Sequence, residues 1–320
     1  MTTLPAQTGP DAKPALAAHG LTRRFGESRA LRGLSLSVAP GELYGLVGPD
    51  GAGKTTAIRS LAGLLVPDDG KVQVLGRDPR VDDGVRELLG VMPQQYSLYR
   101  DLTVGENLRF FARLYVLPRR IFEARAKRLL AITRLDRFTS RRADALSGGM
   151  YKKLALACAL LHEPRVLILD EPTNGVDPVS RRELWALLHE FVEEGMTVLV
   201  STPYMDEAER CGRVGLIYGG RLLLEGRPQA LLSDFEDEVC DVVGGERGSV
   251  EAALALHPEV QATSPAGSRL RIEVKRNASA HVASALAPLG AELQRVLPTF
   301  ENVFLARIRK ETAAGDGATP

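Results

Sequence analysis

Residues 48–55 read GPDGAGKT and fit the pattern G-x-x-x-x-G-K-[ST], whose chemistry is phosphate binding. Its glycines let the backbone curl until successive N–H groups face phosphate oxygens, and the helix that follows adds partial positive charge. Lys54 can then reach the β- and γ-phosphates of a nucleotide, and the Thr55 hydroxyl can bind Mg²⁺. The predicted nucleotide-binding residues of this loop are Gly48, Pro49, Asp50, Gly51, Ala52, Gly53, Lys54, Thr55 and Thr56.

The flanks of this loop favour the phosphate-binding interpretation. An apolar run at residues 43–47 is typical of a buried strand, and residues 56–61 are typical of the start of a helix. The alternative is a glycine-rich turn with an incidental lysine, and the strand and helix on either side argue against it.

A second candidate for chemistry is the run VLILDE at residues 166–171. Four apolar residues followed by two acids predict a buried strand that delivers carboxylates at its C-terminal end. Asp170 is predicted to hold Mg²⁺, either as a direct ligand or through a contact with one of the ion's ligands. Glu171 is predicted to accept a proton from an attacking water or to orient that water. The alternative is a core strand followed by a solvated acidic turn.

A third candidate is LSGGM at residues 146–150. Ser147 is a natural N-cap, while Gly148 and Gly149 leave backbone N–H groups open at the start of a helix. The pattern predicts an anion site with no phosphate-binding loop beside it in sequence. A plain helix cap is the alternative.

Composition limits the possible classes of function. The chain has 320 residues, of which 44% are hydrophobic and 25% charged, which is typical of a globular protein with room for two domains. The formal net charge of +1 gives no indication of a nucleic-acid partner. Its apolar runs are much shorter than the roughly 20 residues that span a bilayer.

The elements that must position these residues alternate between strands and helices. Two alternating stretches in residues 16–40 predict a strand hairpin, and the later alternation of strands and helices predicts a mainly parallel α/β sheet around the loop. After Leu232 the order βαββαβ, with a closing helix at 299–309, predicts a small ferredoxin-like α+β domain. The predicted organisation is a disordered leader at 1–15, a nucleotide-binding domain at 16–232, an α+β domain at 235–310 and a disordered tail at 311–320.

Over residues 16–232 the chain resembles the ATP-binding subunit of an ABC transporter. GPDGAGKT matches the family's Walker A motif, VLILDE its Walker B motif with the catalytic Glu171, and LSGGM its LSGGQ signature. The resemblance implies ATP and Mg²⁺ as cofactors. It also implies a second ATP-binding subunit, identical or different, whose signature residues Ser147, Gly148 and Gly149 complete the opposite site.

Three further residues enter through this resemblance. Gln94 lies where the family has its Q-loop glutamine, which binds Mg²⁺ and senses the membrane subunit, with Gln95 as the alternative. Phe25 matches the aromatic residue that stacks on adenine, unless it is a core phenylalanine. Asp177 belongs to a match with the D-loop at the dimer interface.

The implied function is ATP hydrolysis that powers export through separate membrane permease subunits, with this chain peripheral on the cytoplasmic face of the inner membrane. Residues 97–104 and 299–305 resemble exporters of drugs, other small hydrophobic compounds or polysaccharides. One rival function is a regulatory nucleotide switch that closes on ATP but hydrolyses it only very slowly. Another is an ABC protein acting on ribosomes or DNA, which usually carries two cassettes or a long coiled-coil insertion.

Two positions depart from the family pattern. Met150 replaces the final glutamine of the signature, where a small effect is expected. Pro203 replaces a histidine that contacts the γ-phosphate, and proline has neither a side-chain donor nor a backbone N–H. Three outcomes stay open: a slow but active site, a degenerate half of a heterodimer, or compensation from elsewhere in the fold.

Overall fold

The computed structural model describes residues 13–95 and 98–315, which form two compact units that divide between Arg227 and Pro228. Sequence placed this division a few residues later, between 232 and 235. The difference is one short helix, Pro228–Ser233, which the sequence did not predict and which groups with the second unit. The predicted leader lies mostly at 1–12, outside the described residues.

Thirteen strands are present in the described residues. They are β1 (Leu16–Phe25), β2 (Ser28–Val38), β3 (Leu43–Val47), β4 (Asp69–Val74), β5 (Leu89–Met92), β6 (Val166–Asp170), β7 (Thr197–Thr202), β8 (Arg213–Tyr218), β9 (Arg221–Gly226), β10 (Glu238–Gly244), β11 (Val260–Ala266), β12 (Arg269–Val274) and β13 (Ala291–Val296).

Ten α-helices accompany these strands in the described part of the chain. They are α1 (Lys54–Leu61), α2 (Asp83–Arg86), α3 (Val104–Leu114), α4 (Arg119–Thr133), α5 (Gly148–Leu160), α6 (Pro178–Glu193), α7 (Pro228–Ser233), α8 (Arg247–Ala255), α9 (Ser279–Leu286) and α10 (Phe300–Gly315).

The main sheet of the first unit has the order β5-β6-β7-β3-β8-β9 and is parallel except for its last pair. Strands β3, β6 and β7 are buried along their whole length. Strands covered on both faces need continuous apolar sequence, which explains runs such as VLIL in β6. The prediction of a mainly parallel sheet is confirmed.

A second, antiparallel sheet has the order β2-β1-β4, so the predicted hairpin is present as β1 and β2. Helix α1 packs between the two sheets, with Ile58 and Leu61 in a core shared by Leu34 of β2 and Ile168 of β6. The N-terminus of α1 is thereby fixed directly after β3.

The second unit is a four-stranded antiparallel sheet in the order β11-β12-β10-β13. With α8 and α9 as its connections, this is the ferredoxin-like arrangement that the sequence predicted. Its core includes Cys240, Ile272 and Val282. Helix α10 continues to Gly315, so residues 311–315 of the predicted disordered tail are helical, and the rest of that tail lies outside the described residues.

None of the helices within residues 13–95 and 98–315 combines the length and the hydrophobicity that crossing a membrane requires.

Candidate functional site

The carboxyl ends of three neighbouring parallel strands create the site. Strand β3 leads into the glycine-rich loop, β6 ends at Asp170, and β7 ends at Thr202. The loop is tied to β7 because the Gly48 N–H donates to the Thr202 carbonyl oxygen at 3.2 Å. Ligands of open α/β sheets bind at this edge, so the fold alone marks it as the candidate site.

The loop glycines have steric reasons to be glycine. A Cβ on Gly53 would lie 2.5 Å from the Ala30 carbonyl oxygen, and its φ of +107° is outside the range that L-residues favour. A Cβ on Gly48 would overlap the Ile217 carbonyl. Substitution at either position would displace the backbone that presents N–H groups to a phosphate.

Lys54 lies at the centre of the loop with only 3% of its surface exposed. Its ammonium donates to the carbonyl oxygens of Gly48 at 2.8 Å and Pro49 at 3.0 Å. Its Nζ also lies 3.2 Å from Oε1 of Glu171. The predicted phosphate ligand and the predicted catalytic acid therefore form a buried ion pair.

Asp170 is held by two hydroxyl groups. Thr55 Oγ1 donates to Asp170 Oδ1 at 3.2 Å, and Ser201 Oγ donates to the same oxygen at 2.7 Å. Thr55 and Asp170, the two loop and strand residues predicted to hold Mg²⁺, are thus brought together.

The donor set fits Mg²⁺, which prefers oxygen ligands and is commonly bound by one or two carboxylates together with substrate phosphates. The oxygens brought together here are the Thr55 hydroxyl and the Asp170 carboxylate. The side chain of Gln94, the third predicted ligand, bonds Glu171 next to Asp170 through its amide nitrogen, which leaves its amide oxygen for an ion. In the described residues, no group of three or more His, Cys, Asp or Glu side chains forms a separate metal cage.

Glu171 is buried, with 4% of its surface exposed, and its carboxylate has a full set of donors. Its Oε2 accepts from Gln94 Nε2 at 2.7 Å and from Asn174 Nδ2 at 3.2 Å, while Oε1 faces Lys54. Its φ of +48° is a left-handed conformation that costs energy for a residue other than glycine. Both the strain and the donors fix the direction of this carboxylate.

Sequence reasoning missed three residues that support this pair of acids. Ser201 bonds Asp170 and also accepts the Glu171 N–H at 3.0 Å, and Asn174 donates to Glu171. Lys152 of α5 donates to the carbonyl oxygen of Gln94 at 3.0 Å, and burial lowers the pKa of its ammonium. The contacts of Ser201 and Lys152 join distant parts of the chain, whereas Asn174 lies only three residues after Glu171 and was overlooked in the loop that follows β6.

Residues 147–149 lie at the start of α5, where the Met150 N–H donates to the Ser147 hydroxyl at 3.3 Å. A Cβ on Gly149 would overlap Ser180 of α6, and one on Gly148 would lie 3.0 Å from the Gly175 carbonyl oxygen. Within the described residues, no hydrogen bond or ion pair joins these three residues to the glycine-rich loop. The same chain therefore does not bring its two predicted anion sites together.

Phe25 is 49% exposed, which excludes the alternative of a core phenylalanine. The guanidinium of Arg23 lies 5.0 Å from the centre of its ring, so the ring stands at the surface with one cationic neighbour. For the other open alternative, Gln94 rather than Gln95 reaches Glu171.

Pro203 follows directly after β7 and is half-buried. The segment around it is held by the buried Glu207, which accepts from Thr202 at 2.6 Å and from Thr173 at 3.0 Å. None of the described histidines forms a hydrogen bond or an ion pair with Lys54, Asp170 or Glu171.

A glycine-rich loop after β3, two acids at the end of β6 and a separate LSGGM helix define a P-loop nucleotide-binding fold of the ATP-binding-cassette type. A family model described as "ABC transporter" matches residues 31–174. The chain belongs to the ATP-binding proteins of the ABC transporter family.

Relatives and solved structures agree with this assignment. The probable multidrug ABC transporter ATP-binding protein YbhF of Escherichia coli is 43% identical over 294 residues, covering 90% of this chain but only 51% of YbhF. This chain thus spans about half the length of that relative. The daunorubicin resistance ATP-binding protein DrrA3 of Streptomyces coeruleorubidus is 38% identical over 302 residues, covering 92% of this chain and 96% of DrrA3.

A solved dimer of the ATP-binding cassette MJ0796, in a post-hydrolysis state with ADP and phosphate, matches with a TM-score of 0.61 and 26% identity. The match covers 66% of this chain and 98% of the cassette.

Proposed function

We propose that this chain binds and hydrolyses ATP and so powers export of a substrate through separate permease subunits at the inner face of a membrane. The observation that carries the proposal is the meeting of Lys54, Asp170 and Glu171 at the ends of β3 and β6. A cation for phosphate, an oxygen ligand for a metal and a buried carboxylate for water are the parts that phosphoryl transfer to water requires.

In this proposal the loop N–H groups and Lys54 hold the phosphates, while Thr55, Asp170 and Gln94 would hold Mg²⁺. The bound ion would neutralise charge that develops on phosphate oxygens. Glu171 orients the attacking water or takes its proton, and Gln94 and Asn174 keep its carboxylate in place.

Two chains are needed to complete each site. Ser147, Gly148 and Gly149 present a helix N-terminus that contacts no phosphate-binding loop of its own chain. A second copy, or a related subunit, facing this one would place that N-terminus on the γ-phosphate. The dimeric MJ0796 cassette with ADP and phosphate supports this arrangement.

An apolar groove of about 550 Å³ lies beside the Gln94 loop and supports contact with a permease. Pro93, which precedes Gln94, lines it together with Tyr99, Phe110 and Cys158. A permease segment seated in this groove would be coupled through Gln94 to the Glu171 carboxylate. The names of YbhF and DrrA3 favour a drug-like exported compound.

The decisive experiment is steady-state hydrolysis of Mg-ATP by the purified chain beside Glu171→Gln, which is nearly isosteric. Loss of the general base is expected to lower turnover by about 100-fold or more while ATP binding persists. Lys54→Ala should weaken ATP binding itself. Equal turnover by the wild type and Glu171→Gln would refute the proposed mechanism.

Pro203 supports a second candidate, an ATP-binding half that closes on nucleotide but hydrolyses it slowly. Loss of one positioning contact of the histidine type costs on the order of 100-fold in rate. If the wild type does not hydrolyse Mg-ATP and Pro203→His restores hydrolysis, this candidate replaces the first. If Pro203→His leaves an active wild type unchanged, the site works without the imidazole.

A further inference from the structure

A strongly basic region surrounds the turn between α3 and α4. Residues 104–142 contain eleven arginines and lysines against three acids, although the whole chain has a formal net charge of only +1. Five of the eleven pair with carboxylates, namely Arg119, Arg125, Arg128, Arg134 and Arg142. The excess of positive charge that points to an acidic partner is therefore carried by the remaining six.

Several of these cations have no carboxylate to neutralise them. Arg109 and Arg113 of α3 and Arg120 of α4 are exposed, and none has an ion-pair partner among the described residues. Arg119 is different, since it pairs with Glu123 at 2.8 Å. Three unpaired guanidinium groups therefore face solvent around one turn.

Apolar side chains protrude between these cations. Val116 is 84% exposed, Leu114 61% and Ile121 41%. We name the six residues Arg109, Arg113, Leu114, Val116, Arg120 and Ile121 the α3–α4 corner. An exposed mixture of arginine and large aliphatic residues is typical of proteins that lie on a membrane surface.

The conformation of Val116 adds an independent observation. Its φ is +52°, in the left-handed region where a β-branched residue is a genuine outlier. The turn needs that conformation, because the Val116 N–H donates to Arg113 O and the Leu117 N–H to Ala112 O at 2.8 Å. Glycine or asparagine would adopt this conformation with less strain. Valine therefore lowers the stability of the turn, and its exposed side chain gains nothing from burial.

A groove of about 570 Å³ lies next to the α3–α4 corner. It is lined by Arg109, Arg113, the Arg119–Glu123 pair and the apolar residues Ala112, Leu117 and Phe122. Unpaired cations beside apolar surface suit an amphiphilic anion better than a fully polar one.

We propose that the α3–α4 corner binds directly to an anionic phospholipid surface, with its arginines on lipid phosphates and Val116, Leu114 and Ile121 at the boundary of the acyl chains. The inference extends the proposed membrane location but does not depend on hydrolysis. The α3–α4 corner adjoins the apolar groove beside Gln94 that is offered to a permease, since Leu114 belongs to both.

The test is sedimentation of the full chain with vesicles of phosphatidylcholine, with and without phosphatidylglycerol. Binding is expected only when phosphatidylglycerol is present, and it should weaken as salt is raised. Arg113→Glu/Arg120→Glu should weaken vesicle binding by about tenfold or more. Arg59→Glu/Arg182→Glu is the matched control, since it makes the same change of charge at exposed residues of α1 and α6.

Val116→Asn separates lipid contact from folding. Asparagine tolerates positive φ, so the melting temperature should stay the same or rise, while vesicle binding falls. Loss of binding with intact stability supports the proposal.

Three results would overturn it: no preference for phosphatidylglycerol, equal loss of binding in the control pair, or unchanged binding by Arg113→Glu/Arg120→Glu. In the last case the lipid-binding surface lies elsewhere on the chain. ATP turnover measured on the same samples keeps this outcome separate from failure of the proposed function.

Discussion

Asp170 and Glu171 are neighbours in sequence but have different partners. Asp170 faces the hydroxyls of Thr55 and Ser201, whereas Glu171 faces the ammonium of Lys54 and two amide groups. Hydroxyls leave a carboxylate free to bind a metal, while amide donors and a cation fix one that must meet a water at a set place. Two adjacent acids can therefore perform two separate tasks.

The Ser201 hydroxyl contacts both acids, so its removal is expected to affect both the fold and the metal site. Ser201→Ala removes the hydroxyl that donates to Asp170 and accepts from the Glu171 N–H, in a fully buried place. We expect the free energy of unfolding to fall by about 1–3 kcal/mol and the affinity for Mg-ATP to fall with it. Urea denaturation and calorimetric titration measure the two effects.

Ser60→Ala is the control for this change, because Ser60 is equally buried but bonds only the Thr56 carbonyl within α1. A similar small loss in both variants, with Mg-ATP affinity untouched, would contradict the role given to Ser201.

Residues on contiguous motifs were predictable, and residues that act across the fold were not. Lys54, Thr55 and Asp170 were identified because their spacing alone implies a phosphate loop and an acidic strand end. Ser201 was missed because its role depends on β7 becoming the neighbour of β6. Asn174 was missed because the turn after β6 brings its amide back to Glu171, three residues earlier, and no periodic pattern indicates that. That Gln94 rather than Gln95 bonds Glu171 likewise depends on the direction of a side chain, which the sequence does not give.

At the scale of elements, α5 joins the helical part of the first unit to its sheet. His162, just after α5, stacks on Tyr115 at 3.8 Å between ring centres, and its Nε2 lies 3.2 Å from the Leu89 carbonyl oxygen of β5. Burial, together with the nearby Arg125, lowers the pKa of this imidazole to about 4.

The lowered pKa of His162 predicts a stability that depends on pH. The imidazole is neutral in the folded chain down to a pH of about 4, whereas in the unfolded chain it binds a proton near pH 6.5. Its contribution is therefore complete above the unfolded pKa and is lost as pH falls towards the folded one. Between pH 7 and pH 5 the loss should be about 2 kcal/mol.

His162→Gln should flatten this slope in urea denaturation at a series of pH values. His189→Gln, at an exposed histidine of α6, is the matched control and should follow the wild type. Equal slopes in His162→Gln and the wild type would show that another group controls acid stability.

Long elements with a clear period were predicted, and short ones were not. Helices α3 and α4 and the fully buried strand β6 follow from their patterns. Helices α2 and α7 have only four and six residues, too few to show a period. The sequence predicts that the closing helix ends at 309, because glycines follow soon after. Helix α10 instead continues to Gly315 through two alanines, which favour helix.

At the scale of the whole molecule, the separation of residues 147–149 from the loop predicts assembly on nucleotide. Glu171→Gln with Mg-ATP should bind nucleotide without consuming it, and the 34.6-kDa chain should then have twice that mass by light scattering. Without nucleotide, or with Lys54→Ala, it should stay at the mass of one chain. A single-chain mass at saturating ATP would count against a site shared between two copies.

The contact between Gly149 and Ser180 also constrains anyone who builds chimaeras of these cassettes. The two residues come from different helices, yet a Cβ at 149 would occupy the space that the Ser180 side chain already fills. A chimaera that joins α5 of one parent to α6 of another therefore inherits a compatibility rule. An α6 that carries serine at 180 in this backbone requires glycine at 149 of the α5 it is joined to.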